Sequence, residues 1–210
     1  MQRFDSLIFD MDGTLWDAVD SYVKVWDATF AECGSGATVD REQLIRCMGQ
    51  PIDVIYRRLV GDPSGAAGFL KKLDDNEATM MRTLGGVLYP GVRDNIPLLA
   101  RHYKLFMVSN CGAAGLPNFL EFTGLKPYFT STLSHGETGL PKDGNIKQLI
   151  EQYSLAAPIY IGDTAGDCAS AHAAGIPMML AAYGFGAAPE AEFSADSFDD
   201  VARFFLDQIQ

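Results

Sequence analysis

Apolar and polar positions follow two periods along this chain. Ser6 to Phe9 is a short apolar run that stops abruptly at Asp10-Met11-Asp12-Gly13-Thr14. That pattern predicts a buried strand ending in a polar turn. The period then lengthens. Val19, Tyr22, Val23, Trp26 and Phe30 fall at i, i+3, i+4, i+7 and i+11, which is one face of a helix, with Asp17 as a candidate N-cap. Gly34-Ser35-Gly36 interrupts it. Leu44, Ile45 and Met48 resume helical spacing, as do Ile52, Ile55, Tyr56, Leu59 and Val60 after Pro51. Phe69, Leu70 and Leu73, then Met80, Met81 and Leu84, predict further helices. No strand is expected between Trp16 and Leu84.

At Gly85-Gly86 the character changes, and Pro90-Gly91 signals a turn. A helix over 95–100 leads to a strand at 105–108. A helix over 116–122 and a strand at 129–132 follow. Ile146, Leu149, Ile150 and Tyr153 form another helix face. Strands at 159–161 and 178–181 flank an Ala-rich helix over 169–174, and a helix over 199–209 closes the chain. Alternating strands and helices imply a parallel sheet. The predicted fold class is therefore α/β: a Rossmann-like parallel sheet core with an inserted α-helical cap domain. Residues 1–15 and 86–210 form the core, and 16–85 the cap.

Composition narrows the partners. The net charge of −11 and the lack of any Lys/Arg run disfavour nucleic acid, whose binding rests on phosphate neutralisation by cationic side chains. No apolar stretch approaches the roughly 18 residues of a membrane span, and Leu7-Ile8-Phe9 is too short for a signal-peptide core. Cys33, Cys47, Cys111 and Cys168 have no Cys-x-x-Cys spacing. They read as free thiols in a reducing, cytoplasmic setting. His102, His135 and His172 have no metal-ligand spacing.

The chemistry should lie where open α/β sheets bind ligands, outside the carboxyl ends of the strands. One predicted strand ends in Asp10-Met11-Asp12-Gly13-Thr14, another in Ser109-Asn110, and a third in Gly162-Asp163-Thr164 with Asp167 four residues past Asp163. Lys142 is expected in the loop before the Ile146 helix. Clustered carboxylates raise one another's proton affinity unless a cation compensates. A hard divalent cation such as Mg2+, which prefers oxygen ligands and keeps room for a substrate phosphate, is the simplest answer. A lysine and a hydroxyl then suit a phosphate dianion.

These residues carry a resemblance. Asp10-Met11-Asp12-Gly13-Thr14-Leu15, the apolar run ending in Ser109-Asn110, and Gly162-Asp163-Thr164 through Asp167 with Ala174-Gly175-Ile176 are similar to the motifs of the haloacid dehalogenase superfamily. The branch is that of phosphoglycolate-phosphatase-like enzymes with a helical cap. One motif departs from the usual pattern. The lysine follows its proline, in Leu140-Pro141-Lys142-Asp143, and Lys147 competes for the role.

The resemblance implies a Mg2+-dependent phosphatase acting on a small phosphorylated metabolite. Asp10 would be the nucleophile that forms an aspartyl-phosphate, and Asp12 the acid and base. Asp10, Asp163 and the backbone carbonyl of Asp12 would hold the metal. Gly13, Thr14, Ser109, Asn110 and Lys142 would bind the phosphoryl group, with Asp167 in support. Hinges would fall near Leu15-Trp16 and Gly85-Gly86. Trp16, Met48, Gly49 and Gln50 are the candidates for substrate selection from the cap. Two other readings stay open: a sugar-phosphate mutase of the same superfamily, and a non-catalytic phosphometabolite-binding protein. Oligomeric state, monomer or homodimer, is not legible.

Overall fold

The computed structural model describes residues 4–61 and 65–209. In chain order, β1 (Ser6–Phe9) and β2 (Trp16–Asp17) precede four helices, α1 (Val19–Glu32), α2 (Arg41–Ile45), α3 (Ile52–Leu59) and α4 (Ala66–Leu84). Then come β3 (Val87–Leu88), α5 (Val92–Leu99), β4 (Lys104–Ser109), α6 (Gly115–Thr123), β5 (Ser131–Ser134) and α7 (His135–Thr138). The chain continues through α8 (Lys142–Tyr153), β6 (Pro158–Gly162), α9 (Ala165–Ala173), β7 (Met178–Ala181), β8 (Phe193–Ala195) and α10 (Phe198–Leu206).

Six strands form one parallel sheet in the order β5-β4-β1-β6-β7-β8. The predicted α/β class is what the molecule has. The side-chain period of two divides the sheet residues between two cores. Leu7, Phe9, Leu105, Met107, Ile159 and Ile161 face α5 and α10 through Ile96, Leu99, Val201 and Phe205. Ile8, Phe106, Val108 and Tyr160 face α8 and α9 through Ile146, Leu149 and Ala171. Helices on both faces explain why these strands are continuous apolar runs. Each such side chain, buried outright, contributes about 1.5–3 kcal/mol.

The order reverses at β1, which lies between β4 and β6. Phe9 pairs in register with Met107 of β4 and Ile161 of β6. Asp10, Ser109 and Asp163 therefore leave the sheet at three adjacent strand ends, at the switch point where such sheets bind ligands.

Several boundaries differ from the sequence reading. The sets at 69–73 and 80–84 belong to one helix, α4. Leu73 and Met80 are seven residues apart, so both sets share a face with no break between them. β2, in a stretch expected to lack strands, is a two-residue pairing with β3, with Trp16 opposite Leu88. Backbone pairing between two passing segments made it, not apolar alternation. β5 starts two residues later than predicted, and β8 was not predicted at all. Only three residues long, β8 completes a sheet edge whose partner, β7, is fixed elsewhere. Asp17 is not the N-cap of α1. Ala18 holds that position, while Asp17 Oδ1 accepts from Val19 N at 3.0 Å.

Helices α1, α3 and α4 share an aromatic centre of Trp26, Phe30, Tyr56 and Phe69, with ring centroids 4.9–5.9 Å apart along the contacting pairs. β2 and β3 join this layer to the sheet as two antiparallel connections. Gly86 is needed there, since a Cβ would stand 2.7 Å from Trp16 Cε3. Among the described residues no helix is long and apolar enough to cross a membrane.

Candidate active site

The turn after β1 is built around one carbonyl. Met11 O accepts from the amides of Thr14, Leu15 and Trp16 at 3.3, 2.9 and 3.3 Å, and Gly13 N donates to Trp16 O at 2.9 Å. Gly13 has φ +79°, and a Cβ on it would overlap the Asp163 carboxylate. Glycine is required twice over, for the left-handed backbone and for the space Asp163 occupies. The amides of Gly13 and Thr14, both expected phosphate contacts, are engaged inside the turn, and neither residue lines the cavity described below. Thr14 is buried outright, and its carbonyl accepts from Tyr183 Oη at 2.9 Å.

Lys142 is not in a loop as expected. It is the first residue of α8, after Pro141 at the N-cap position. From there its ammonium enters the interior, 3.0 Å from Asp10 Oδ2 and 2.5 Å from Asp167 Oδ1. Lys147 points elsewhere and pairs with Asp143 on the surface at 2.9 Å. Asp167 is fully committed. Its Oδ1 takes Lys142, and its Oδ2 accepts from Asp163 N, Thr164 N and Thr164 Oγ1. Thr164 Oγ1 in turn accepts from Asp167 N, which closes a capping box at the start of α9. One residue thus starts a helix and aims the lysine.

Asp163 is 1% exposed, with Oδ2 accepting from Phe185 N at 2.8 Å. The segment Tyr183-Gly184-Phe185-Gly186 past β7 closes over it, and a Cβ on Gly184 would overlap Asp163. Sequence reading missed this loop. Its signal is two glycines flanking an aromatic residue at the carboxyl end of a strand.

Asp12 is gripped from both sides. Trp16 Nε1 donates to Oδ1 at 2.9 Å, and Tyr22 Oη donates to Oδ2 at 3.2 Å. Trp16 was expected to select substrate. Instead it is 1% exposed, turned from the main cavity, and packed edge-on against Phe119 at 4.9 Å. Its indole N–H needs a buried acceptor, and Asp12 is that acceptor. Tyr22, which carries the second bond, was read only as helix packing.

The main cavity opens between the strand ends and the helical layer. Asp10, Asp12, Ser109 and Asn110 line it from the sheet, and Tyr22, Trp26, Leu44, Met48, Gly49, Gln50 and Glu77 from the helices. Met48, Gly49 and Gln50 therefore reach it as expected positions. Ser109 Oγ accepts from Cys111 N at 3.3 Å. Asn110 Nδ2 donates to Gly49 O at 2.8 Å, a bond between the sheet side and the helical side. Glu77 was not singled out, because on α4 it reads as a solvated polar position.

The electrostatics reflect crowding. Burial, with Asp167 and Asp10 nearby, pushes Asp163 up from 3.8 to about 8. Burial raises Asp10 as well, against the pull of Lys142 and with Asp167 adding to the rise. Burial and the neighbouring Asp10 charge hold Asp12 well above the usual carboxylate range, despite the bonds from Trp16 and Tyr22. Burial opposes the Lys142 ammonium, but Asp10 and Asp167 outweigh it and hold it charged.

A hard cation fits here. One oxygen from each of Asp10, Asp163 and Asp167 lies within 4.8 Å of the others. One lysine cannot neutralise three carboxylates. Asp10 Oδ1 is buried with no hydrogen-bond partner among the described residues, an exception that calls for an explanation. Asp10 and Asp163 are the side chains free to act as ligands, because Asp167 is already used. The Asp12 carboxylate is outside the group.

Residues 7–181 match the family model of haloacid dehalogenase-like hydrolases. Among curated proteins, the chain is similar to the phosphoglycolate phosphatase of Aliivibrio fischeri, at 27% identity over 95% of this chain and 94% of that one. It is also similar to a plasmid-borne phosphoglycolate phosphatase of Cupriavidus necator, at 29% identity over 93% and 88%. A haloacid dehalogenase-like hydrolase of Streptococcus pneumoniae superposes with a TM-score of 0.85 at 20% identity, covering 98% of this chain and all of that one.

Proposed function

This chain belongs to the haloacid dehalogenase-like hydrolases, and we propose that it is a phosphatase that hydrolyses small phosphate monoesters through a covalent intermediate on Asp10. The observation that carries this reading is the pairing of two differently treated aspartates in one cavity. Asp10 has a free, buried Oδ1 beside Lys142. Asp12 is held by two donors in surroundings that favour its protonated form. Two neighbouring carboxyl groups given different surroundings can take different roles, here nucleophile and acid.

Asp10 attacks phosphorus, and the bond from phosphorus to the ester oxygen breaks. Asp12 gives its proton to that oxygen, so the alcohol leaves neutral. A water then attacks the aspartyl-phosphate, Asp12 takes a proton from it, and inorganic phosphate departs with Asp10 restored. The acid of the first step is the base of the second. Dividing one hard displacement between two easier steps is what covalent catalysis achieves. Lys142 and the Ser109 hydroxyl hold the transferring phosphoryl oxygens. Asp167 positions Lys142 and does not touch substrate. Bound at Asp10, Asp163 and the Asp12 carbonyl, Mg2+ would supply charge neutralisation for the phosphoryl oxygens. Residues 16–85 act as the cap, and the β2–β3 pair as its hinge. The Asn110–Gly49 bond supports a closed position.

Phosphate release from a panel of alkyl phosphates in Mg2+ tests this reading. Turnover is expected, with loss of activity in excess chelator. Asp12→Asn should lower kcat on alkyl esters by about 10²–10⁴-fold, the usual range for a lost general acid. It should lower kcat less on p-nitrophenyl phosphate, whose leaving group needs no proton. An Asp12→Asn enzyme as fast as wild type on alkyl esters removes that role.

A further inference from the structure

The cavity has a feature that hydrolysis does not use. Glu77, in the middle of α4, lines it from the helical side. A Cβ on Gly112 would stand 3.8 Å from Glu77 Oε2, so the carboxylate lies against the turn after β4. Its field reaches Asp12 and Tyr22. Among the described residues no hydrogen-bond donor or ion-pair partner meets this carboxylate. The described residues lining the cavity also include no lysine, arginine or histidine. Lys142 does not line it and is shared between Asp10 and Asp167.

A half-buried carboxylate without a partner is costly unless a ligand supplies one. A leaving group bearing its own carboxylate would bring like charge against Glu77 with no cation to meet it, and such juxtapositions are strongly disfavoured. The remaining wall, from Trp26, Leu44, Ile52 and Ile55, is apolar and suits carbon atoms. We propose that Glu77 is the specificity-determining residue of this site, selecting phosphate esters whose alcohol part carries a hydroxyl or ammonium donor and rejecting those that carry a carboxylate. The inference rests on the phosphatase reading for the position of the phosphate, and it separates this chain from its phosphoglycolate-named relatives in leaving-group chemistry.

Three two-carbon esters of similar size test it: O-phosphoethanolamine, 2-hydroxyethyl phosphate and 2-phosphoglycolate. Burial and Asp74 push Glu77 up to about 7, so measurement at pH 8 keeps it ionised. Wild type should favour each of the first two over phosphoglycolate by at least about tenfold in kcat/KM, a modest demand on a site built to meet a donor. Glu77→Gln should lower kcat/KM for phosphoethanolamine, raise it for phosphoglycolate, and narrow the gap. The same order is read as equilibrium binding to Asp10→Asn enzyme in Mg2+, which needs no turnover. Selective binding of the two donor esters without turnover of any ester would leave this inference standing and overturn the phosphatase reading. Phosphoglycolate turned over or bound as well as the donor esters overturns the inference. So does an order that Glu77→Gln leaves unchanged, or an absence of both turnover and binding for all three.

Discussion

Asp10→Asn enzyme should release no phosphate above background, a loss on the order of 10⁴-fold or more, as for other residues that form the covalent bond. Asn keeps the shape of the side chain but lacks the anionic oxygen proposed to attack phosphorus. The fold should survive. Lys142 keeps its bond to Asp167, the Asp10 amide still donates to Ile161 O at 2.8 Å, and the strand is untouched. Removing one of three crowded carboxylates also relieves repulsion in the metal-free protein. Its melting temperature in chelator should therefore equal or exceed that of wild type, while Mg2+ should stabilise it less. Thermal melts with and without Mg2+, run beside phosphate-release assays, check both halves. Residual turnover near wild type would remove Asp10 from the role of nucleophile.

The second large effect is expected at Lys142. Lys142→Met removes the one ammonium among Asp10, Asp163 and Asp167, and with it the donor proposed for the phosphoryl group. Breaking a buried ion pair from one side costs about 3–5 kcal/mol. Proton uptake by the carboxylates lightens that cost wherever pH permits. The pH dependence has a definite sign. Asp163 titrates at about 8 in the folded protein and at 3.8 in its ordinary state. Between those values the folded protein holds a proton that the unfolded chain has released, so stability falls as pH rises. This contribution is complete below the lower value and lost through the upper one. Metal-free wild type should melt lower at pH 8 than at pH 5, Mg2+ should restore more at pH 8, and Lys142→Met should steepen the slope. A metal-free melting temperature that climbs between pH 5 and pH 8 contradicts the assignment.

Much of this was legible before any coordinates. Strands ending in acids, and a helical stretch between β1 and the rest of the sheet, are local patterns that periodicity reports well. The strand-end residues Asp10, Ser109 and Asp163 converge because parallel topology brings strand ends together, a consequence of fold class alone. What stayed hidden depends on side-chain direction across the fold. Trp16 could not be known to face Asp12, because that requires the turn around Met11 O. Gly13 read as a phosphate contact, whereas its missing Cβ makes room for a carboxylate 150 residues away in sequence. Glu77 was not singled out, because its helix is polar there. Only the packing of α4 against α6, with Asn118 Nδ2 donating to Glu77 O at 3.3 Å, turns that residue toward the cavity.

The grip on Asp12 has a consequence of its own. One of its donors, Trp16, sits in the connection between the two layers, and the other, Tyr22, sits on the first helix beyond it. On the proposed mechanism, a swing of the helical layer that admits substrate would draw Tyr22 away. The carboxyl group proposed as the acid would then be held in place only when the chamber is shut, an interlock that would tie proton delivery to the position of the door.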